Sequence, residues 1–236
     1  MPRPPRTHDV ERAKAVRAGL GVGLATAAYG VSFGALATLS GLDVWQTCFL
    51  SLVMFSGGSQ FALVGVLTAG GLASAGAAIG SAVLLGSRNL FYAVRMSPLL
   101  PGGVLRRAVA AHLTIDESTA VATGQATTSA QRVGFWVTGI TVYLGWNATT
   151  LAGALLGDLL GDVRAYGLDA AAAAAFLGLL WPRLKRRQAA AVAAVAAVLA
   201  ALLTPALSPG LPVLATVAVA VVVGVANLFG GRRQAA

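Results

Sequence analysis

The sequence predicts an all-α membrane protein, a polytopic helical bundle of about six or seven transmembrane helices with at least one of them broken or re-entrant. Three observations lead to that class. Of the 236 residues, 57% are hydrophobic and 11% charged, against roughly a quarter charged in a soluble domain. The mean hydropathy is +0.77, and the apolar residues gather in long runs. The 17 basic side chains outnumber the 8 acidic ones and fall between those runs, as the positive-inside rule asks of cytoplasmic loops. A soluble enzyme of this length would need a larger charged skin. A nucleic-acid binder would interleave its basic residues with aromatic ones, and this chain does not. The single cysteine, Cys48, excludes an intrachain disulfide.

Residues 1–17 form a basic arm carrying Arg3, Arg6, Arg12, Lys14 and Arg17. The run at 18–40 is longer than the roughly 7–15 residues of a signal-peptide core and leads into more apolar sequence, so it reads as a retained helix. Gly19, Gly23, Gly30 and Gly34 give it a face that another helix can approach closely. If 18–40, 45–69 and 72–94 were three full crossings from a cytoplasmic start, Arg95, Arg106 and Arg107 would lie outside, against the rule. The economical repair is that 45–69 enters and leaves by one face and breaks at FSGGSQF, residues 55–61. Gly57 and Gly58 are poor helix formers, and Ser56, Ser59 and Gln60 are polar inside an apolar run.

His112, Asp116, Glu117 and several threonines break the apolar pattern over 108–131, which reads as a cytoplasmic or re-entrant segment. Thr114 and Glu117 have the spacing of a capping box. The run at 133–157 crosses the membrane, and its Asn147, beside Tyr143 and Trp146, is expected to bond another helix. A short Ala-rich helix over 168–182, a second over 189–204 and a crossing over 211–229 follow, the last two separated by a turn from Pro205 to Pro212. Asp43, Asp158 and Asp162 are expected in loops and Asp169 at a helix N-cap. Arg232 and Arg233, the cluster Arg183, Lys185, Arg186 and Arg187, and Arg132 then alternate with external turns, which places both termini in the cytoplasm. One transmembrane domain, 18–230, lies between the arm and a tail at 231–236.

A broken membrane helix leaves unpaired N–H groups and partial positive charge at the start of its second half, where an anion is held. Around that point Ser56, Gly57, Gly58, Ser59 and Gln60 supply polar groups and close backbone, while Phe55 and Phe61 supply apolar wall. Together they suit a small zwitterion with an apolar tail. Arg88 and Asn89, polar within the run 72–94, are expected to face the pathway and orient that molecule, with snorkelling to the interface as the alternative for Arg88. Asp116 and Glu117 read either as a solvated helix start on the cytoplasmic side or, if 108–131 dips into the membrane, as candidates for coupling or gating, because burial raises a carboxylate pKa toward the working range. No metal site is expected: His8, His112 and Cys48 stand apart. Nor is there a GxxxxGK[ST] loop for a nucleotide or a cofactor motif. An enzyme is therefore not expected. A membrane scaffold or assembly subunit and a small-solute channel are the competing readings.

The motifs FSGGSQFALVGVL (55–67), GSRNLFYAVRMSPLLP (86–101), LTIDESTAVAT (113–123), YLGWNATTLAGALLGDLL (143–160) and GLDAAAAAAFLGLLWP (167–182), after a basic arm and a Gly-rich first helix, resemble the AzlC-like branched-chain amino acid permeases. The resemblance runs over roughly residues 15–230. Where that family tends to carry an asparagine this chain has Gly86, and where it carries an aromatic residue this chain has Thr119. The resemblance implies the large subunit of a two-component exporter of hydrophobic amino acids, driven by a proton or other ion gradient across the inner membrane. It also implies a small hydrophobic AzlD-like membrane subunit as partner.

Overall fold

The structure, a computed structural model, describes residues 7–160, 177, 180–185, 187–208 and 210–226. Every regular element among them is helical: α1 (Thr7–Ala28), α2 (Gly30–Leu39), α3 (Val44–Val53), α4 (Gly57–Gly70), α5 (Ala75–Gly86), α6 (Arg88–Met96), α7 (Val104–His112), α8 (Asp116–Thr123), α9 (Thr128–Leu160), α10 (Arg187–Leu203), α11 (Leu211–Ala215) and α12 (Val217–Ala226). Most of the run expected at 168–182, with Asp162, Asp169, Arg186, Arg232 and Arg233, lies outside the described residues. Two helical stretches are long and apolar enough to cross a membrane, His8–Leu39 and Gly57–Leu99. Large apolar side chains such as Trp45, Phe49, Phe91 and Leu159 are exposed, as on a surface that meets lipid rather than water.

The long helix α9 is the axis. At about 1.5 Å per residue its 33 residues span about 50 Å. α1 and α2 run parallel to it, joined at Tyr29. Glycine makes the approach possible: a Cβ at Gly19 would meet Val137 and Thr138, at Gly23 Thr141, and at Gly34 the backbone of Thr150 and Ala154, while one at Gly157 would meet Ala35. The small-residue face expected in the first helix is thus a packing face. Thr149 Oγ1 donates across it to Ala27 O at 2.6 Å.

The chain then makes two broken hairpins along α9. In the first, α3 descends: Ser51 meets Thr150 at 3.4 Å and Phe55 meets Tyr143. The helix stops at Met54, and the chain turns back, with Gly57 against Trp146. α4 packs antiparallel to α5, Gly86 lying against Ser59, the reversal being made by Gly71 at φ +60°. The stretch 57–99 is therefore folded and is not one crossing. Ser87 keeps helical angles, so α5 and α6 form one nearly continuous rod. That rod ends where Arg132 donates to Leu99 O at 2.7 Å. In the second hairpin α7 climbs α9, from Arg106 over Trp136 to His112 against Tyr143. α8 then descends, with Val121 against Gly134.

Several local expectations are corrected. α8 starts at Asp116, and Thr114 bonds back to Ala110 O at 2.7 Å instead of forming a capping box with Glu117; Ser118 accepts the Ile115 N–H in its place. Asp43 is the N-cap of α3, closing a reciprocal pair with Gln46. Asp158 lies in the last turns of α9. Asn147 donates to Tyr143 O of its own helix. The run over 211–229 is interrupted at Thr216, whose hydroxyl bonds Val213 O.

Candidate functional site

Two hairpin tips and the middle of the α5–α6 rod meet beside Tyr143 and Trp146 of α9. The first tip comprises Met54, Phe55 and Ser56, and α4 resumes at Gly57. Ser56 has extended backbone and makes no side-chain cap to the helix; its hydroxyl bonds Ser59 Oγ at 3.1 Å. The first-turn N–H groups of α4 are left without an intrahelical acceptor by the geometry of any helix start. Ser59, Gln60 and Phe61 are almost wholly buried.

Gln60 is tied on both sides. Its Nε2 donates to Met54 O at 2.7 Å and to Ser51 O at 3.4 Å, capping the end of α3. Its Oε1 accepts the Trp146 indole N–H at 2.8 Å. The amide therefore spans the break and locks it to α9. Phe61 packs edge-on to Phe33 and Trp146, while Phe55 stands edge-on to Tyr143 and 5.8 Å from the His112 ring. Phe55 and Phe61, expected as apolar wall, are both buried in the core around the tip.

Arg88 reaches the same place from the rod. Its Nη2 lies where a Cβ on Gly58 would come within 2.7 Å, against the first turn of α4. Guanidinium and helix start are both positive, and the opposing charge is Asp116, 2.6 Å from Arg88. The Tyr92 hydroxyl, on the same rod face four residues on, donates to the other Asp116 oxygen at 2.7 Å. Arg88 thus faces the interior. The sequence-selected groups 55–61, Arg88 and Asp116 are gathered into one site. Asn89 and Glu117 adjoin the ion pair in the chain, and both are half-buried. Arg88 Nε, Asn89 Oδ1 and Thr119 Oγ1 are buried with no hydrogen-bond partner.

All of these elements lie within residues 21–160, the stretch matched by the family model described as AzlC protein. The chain belongs to the AzlC family. No curated protein and no solved structure matches it. AzlC membership gives the protein a membrane-transport-related role, and the family is associated with transport rather than catalysis. Among the described residues of this AzlC protein, no group of three or more His, Cys, Asp or Glu is placed to hold a metal.

Three residues of the AzlC site are not among those the sequence singles out for binding or gating. Tyr92 was discoverable, since a position four residues after Arg88 shares its helix face. Trp146 stood out only as a polar aromatic residue in an apolar helix, and nothing in the sequence names Gln60 as its partner. His112, isolated in the sequence, has its Nε2 3.0 Å from Leu52 O at the meeting of the tips. A cavity of about 160 Å³ adjoins the second tip, lined by Met96, Ser97, Leu100, Arg107 and Thr114 among others.

Proposed function

We propose that this AzlC protein is the large subunit of a secondary transporter that exports branched-chain or other hydrophobic amino acids across the inner membrane, driven by a proton or other ion gradient. The observation that carries the reading is Arg88, set against the first turn of α4 with its Nε buried and unpartnered, next in the chain to an equally unpartnered Asn89 Oδ1. Arg88 Nε is a donor and Asn89 Oδ1 an acceptor, and buried polar groups are rarely left unpaired without a reason. A zwitterion supplies both needs: its carboxylate suits the first turn of α4, Ser56, Ser59 and Arg88, and its ammonium suits Asn89 and the carboxylates. Phe55 and Phe61 supply apolar surface for an aliphatic side chain, with Gly57 and Gly58 letting the backbone come close. Asp116 and Glu117 couple or gate, Asp116 because it already occupies the cation that a substrate carboxylate would seek.

A multi-pass arrangement of about six or seven crossings with both termini in the cytoplasm fits the charge distribution. Arg12, Lys14 and Arg17 stand on the first turns of α1, and Arg132 on the first turn of the parallel α9. Arg95, Arg106 and Arg107 flank Leu99, which Arg132 contacts. The described acids at the far end are Asp43 and Asp158. α10 has no buried residue among those described, which favours a small AzlD-like membrane subunit packed against it.

The test is efflux of isoleucine and methionine from peptide-loaded cells lacking their own exporters, with this chain expressed alone and with its neighbouring small membrane protein. Faster, saturable efflux that an uncoupler abolishes and Ser59→Ala reduces is expected. No efflux from cells with both proteins in the membrane would refute the substrate class.

A further inference from the structure

The two broken hairpins share more than a shape. The helix preceding each is interrupted, at Tyr29 and at Ser87. The hairpins begin at Val44 and Val104, and their first halves are capped at Met54 and Leu113. Their second halves have extended N-caps at Ser56 and Ile115 and begin at Gly57 and Asp116. Each pair is separated by a nearly constant interval of about sixty residues, the mark of an internal repeat. The third residue of each second half is a serine bonded within its own tip. Ser59 bonds Ser56 Oγ, and Ser118 accepts from Ile115 N while donating to Leu113 O at 2.7 Å.

The two units point in opposite directions. The first hairpin comes down α9 from Thr150 to Tyr143, and the second climbs from Trp136 to the same Tyr143. Each unit makes one pass along the bundle in its rod and returns to the same end in its hairpin. It therefore starts at one end and finishes at the other, so a second copy must be upside down relative to the first. The tips meet through His112 Nε2 and Leu52 O at 3.0 Å, where the nitrogen donates because a carbonyl can only accept. Phe55 lies against the same imidazole.

We propose that residues 7–70 and 75–123 are inverted-topology copies of one unit, and that the seam between their hairpin tips is the alternating gate of the transport site. The gate rests on the transport reading above; the repeat does not. Inverted repeats give two equivalent ways to open one central site, because exchanging the conformations of the two units exchanges the accessible face. The first hairpin opens toward the Leu160 end of α9 and the second toward the Thr128 end. The cavity running from Ser97 and Arg107 to Thr114 is the approach on the second side. Arg88 to Asp116 joins the rod to the second tip, so a substrate carboxylate that competes for Arg88 loosens the tie of that hairpin to the rod.

The repeat is read without transport. In a Cys48→Ser background, single cysteines at Ser40→Cys and Ala73→Cys flank the first hairpin, and Gly103→Cys and Ala126→Cys flank the second. A membrane-impermeant maleimide applied to intact cells and to inverted vesicles should label the first pair from one face and the second pair from the other. Labelling of Ser40→Cys and Ala73→Cys from opposite faces, meaning that 44–70 crosses fully, would overturn the repeat. The gate is read by joining the tips through Leu52→Cys with His112→Cys, and separately Phe55→Cys with His112→Cys, using a reducible bifunctional thiol reagent. Efflux lost on cross-linking and regained on reduction supports the gate, whereas undiminished efflux by fully cross-linked protein overturns it. A chain that labels as expected but exports no amino acid keeps the repeat and sinks the transport reading.

Discussion

Arg88 and Asp116 stand 2.6 Å apart and fasten the α5–α6 rod to the start of α8, with both side chains about a quarter exposed. Removing either partner leaves the other charge poorly solvated at a cost of about 1–3 kcal/mol. Arg88→Ala and Asp116→Asn should each lower the thermal midpoint of the purified protein and reduce efflux. The double variant should be more stable than the sum of the single losses predicts, because partners in contact are not additive. Arg88→Lys should not restore efflux, since a point charge cannot reproduce the guanidinium fork. Strict additivity would show that the pair does not interact.

Gly58 and Gly34 should fail in different ways. A Cβ at position 58 meets the far end of the flexible Arg88 side chain and Leu85, which can move. A Cβ at position 34 meets the backbone of Thr150 and Ala154, which cannot move without parting α2 from α9. Gly58→Ala should reach the membrane at near wild-type level with efflux reduced severalfold, and Gly34→Ala should be depleted from the membrane. Immunoblotting of membranes beside efflux separates the two. Equal depletion of both would remove Arg88 from its proposed place beside the helix start.

Gln60 and Trp146 should behave as one unit. Gln60→Ala orphans the indole N–H and the Met54 carbonyl in a buried site, worth about 1–3 kcal/mol for each unsatisfied group. Trp146→Phe orphans Gln60 Oε1 and trims the ring contacts with Phe33 and Phe61. A double-mutant cycle on thermal stability in detergent should return a coupling of about 1 kcal/mol or more. A coupling near zero would mean that the 2.8 Å hydrogen bond does not hold the break in place.

Asp43 supplies a contrast. It caps α3 through Gln46 N at 2.7 Å but lies at the opposite end of that helix from the tip. Asp43→Ala should cost about 1 kcal/mol of stability and leave the apparent affinity for exported amino acid unchanged. A large rise in that affinity constant would show that the end of α3 communicates with the tip.

The breaks were legible because each carries its own chemical cause. FSGGSQF puts two glycines and three polar residues into an apolar run, and residues 112–119 put acids and hydroxyls into a segment that reads as cytoplasmic or re-entrant. Membrane-buried helices rarely continue smoothly through such sequence. The charge pattern made a turn within 45–69 the economical reading, and the chain does fold back there. Where each helix restarts was less legible: the spacing of Thr114 and Glu117 allowed a capping box, yet the tip geometry turned Thr114 back to Ala110 and gave the cap to Ser118. Asn147 likewise had the chemistry to bond another helix, but the Tyr143 carbonyl four residues before it was nearer.

By itself the sequence determined the membrane class, the glycine face on the first helix, the polar interruptions and the end of the molecule that carries the basic residues. These follow from composition and spacing, which report the environment each residue needs. Only the tertiary structure decided which residues meet: Arg88 with Asp116, Gln60 with Trp146, and the first tip with His112. Periodicity specifies a face and not its partner, and the pairing of distant residues rests on the close glycine contacts of α1 and α2 with α9 and on both hairpins ending at the same stretch of α9.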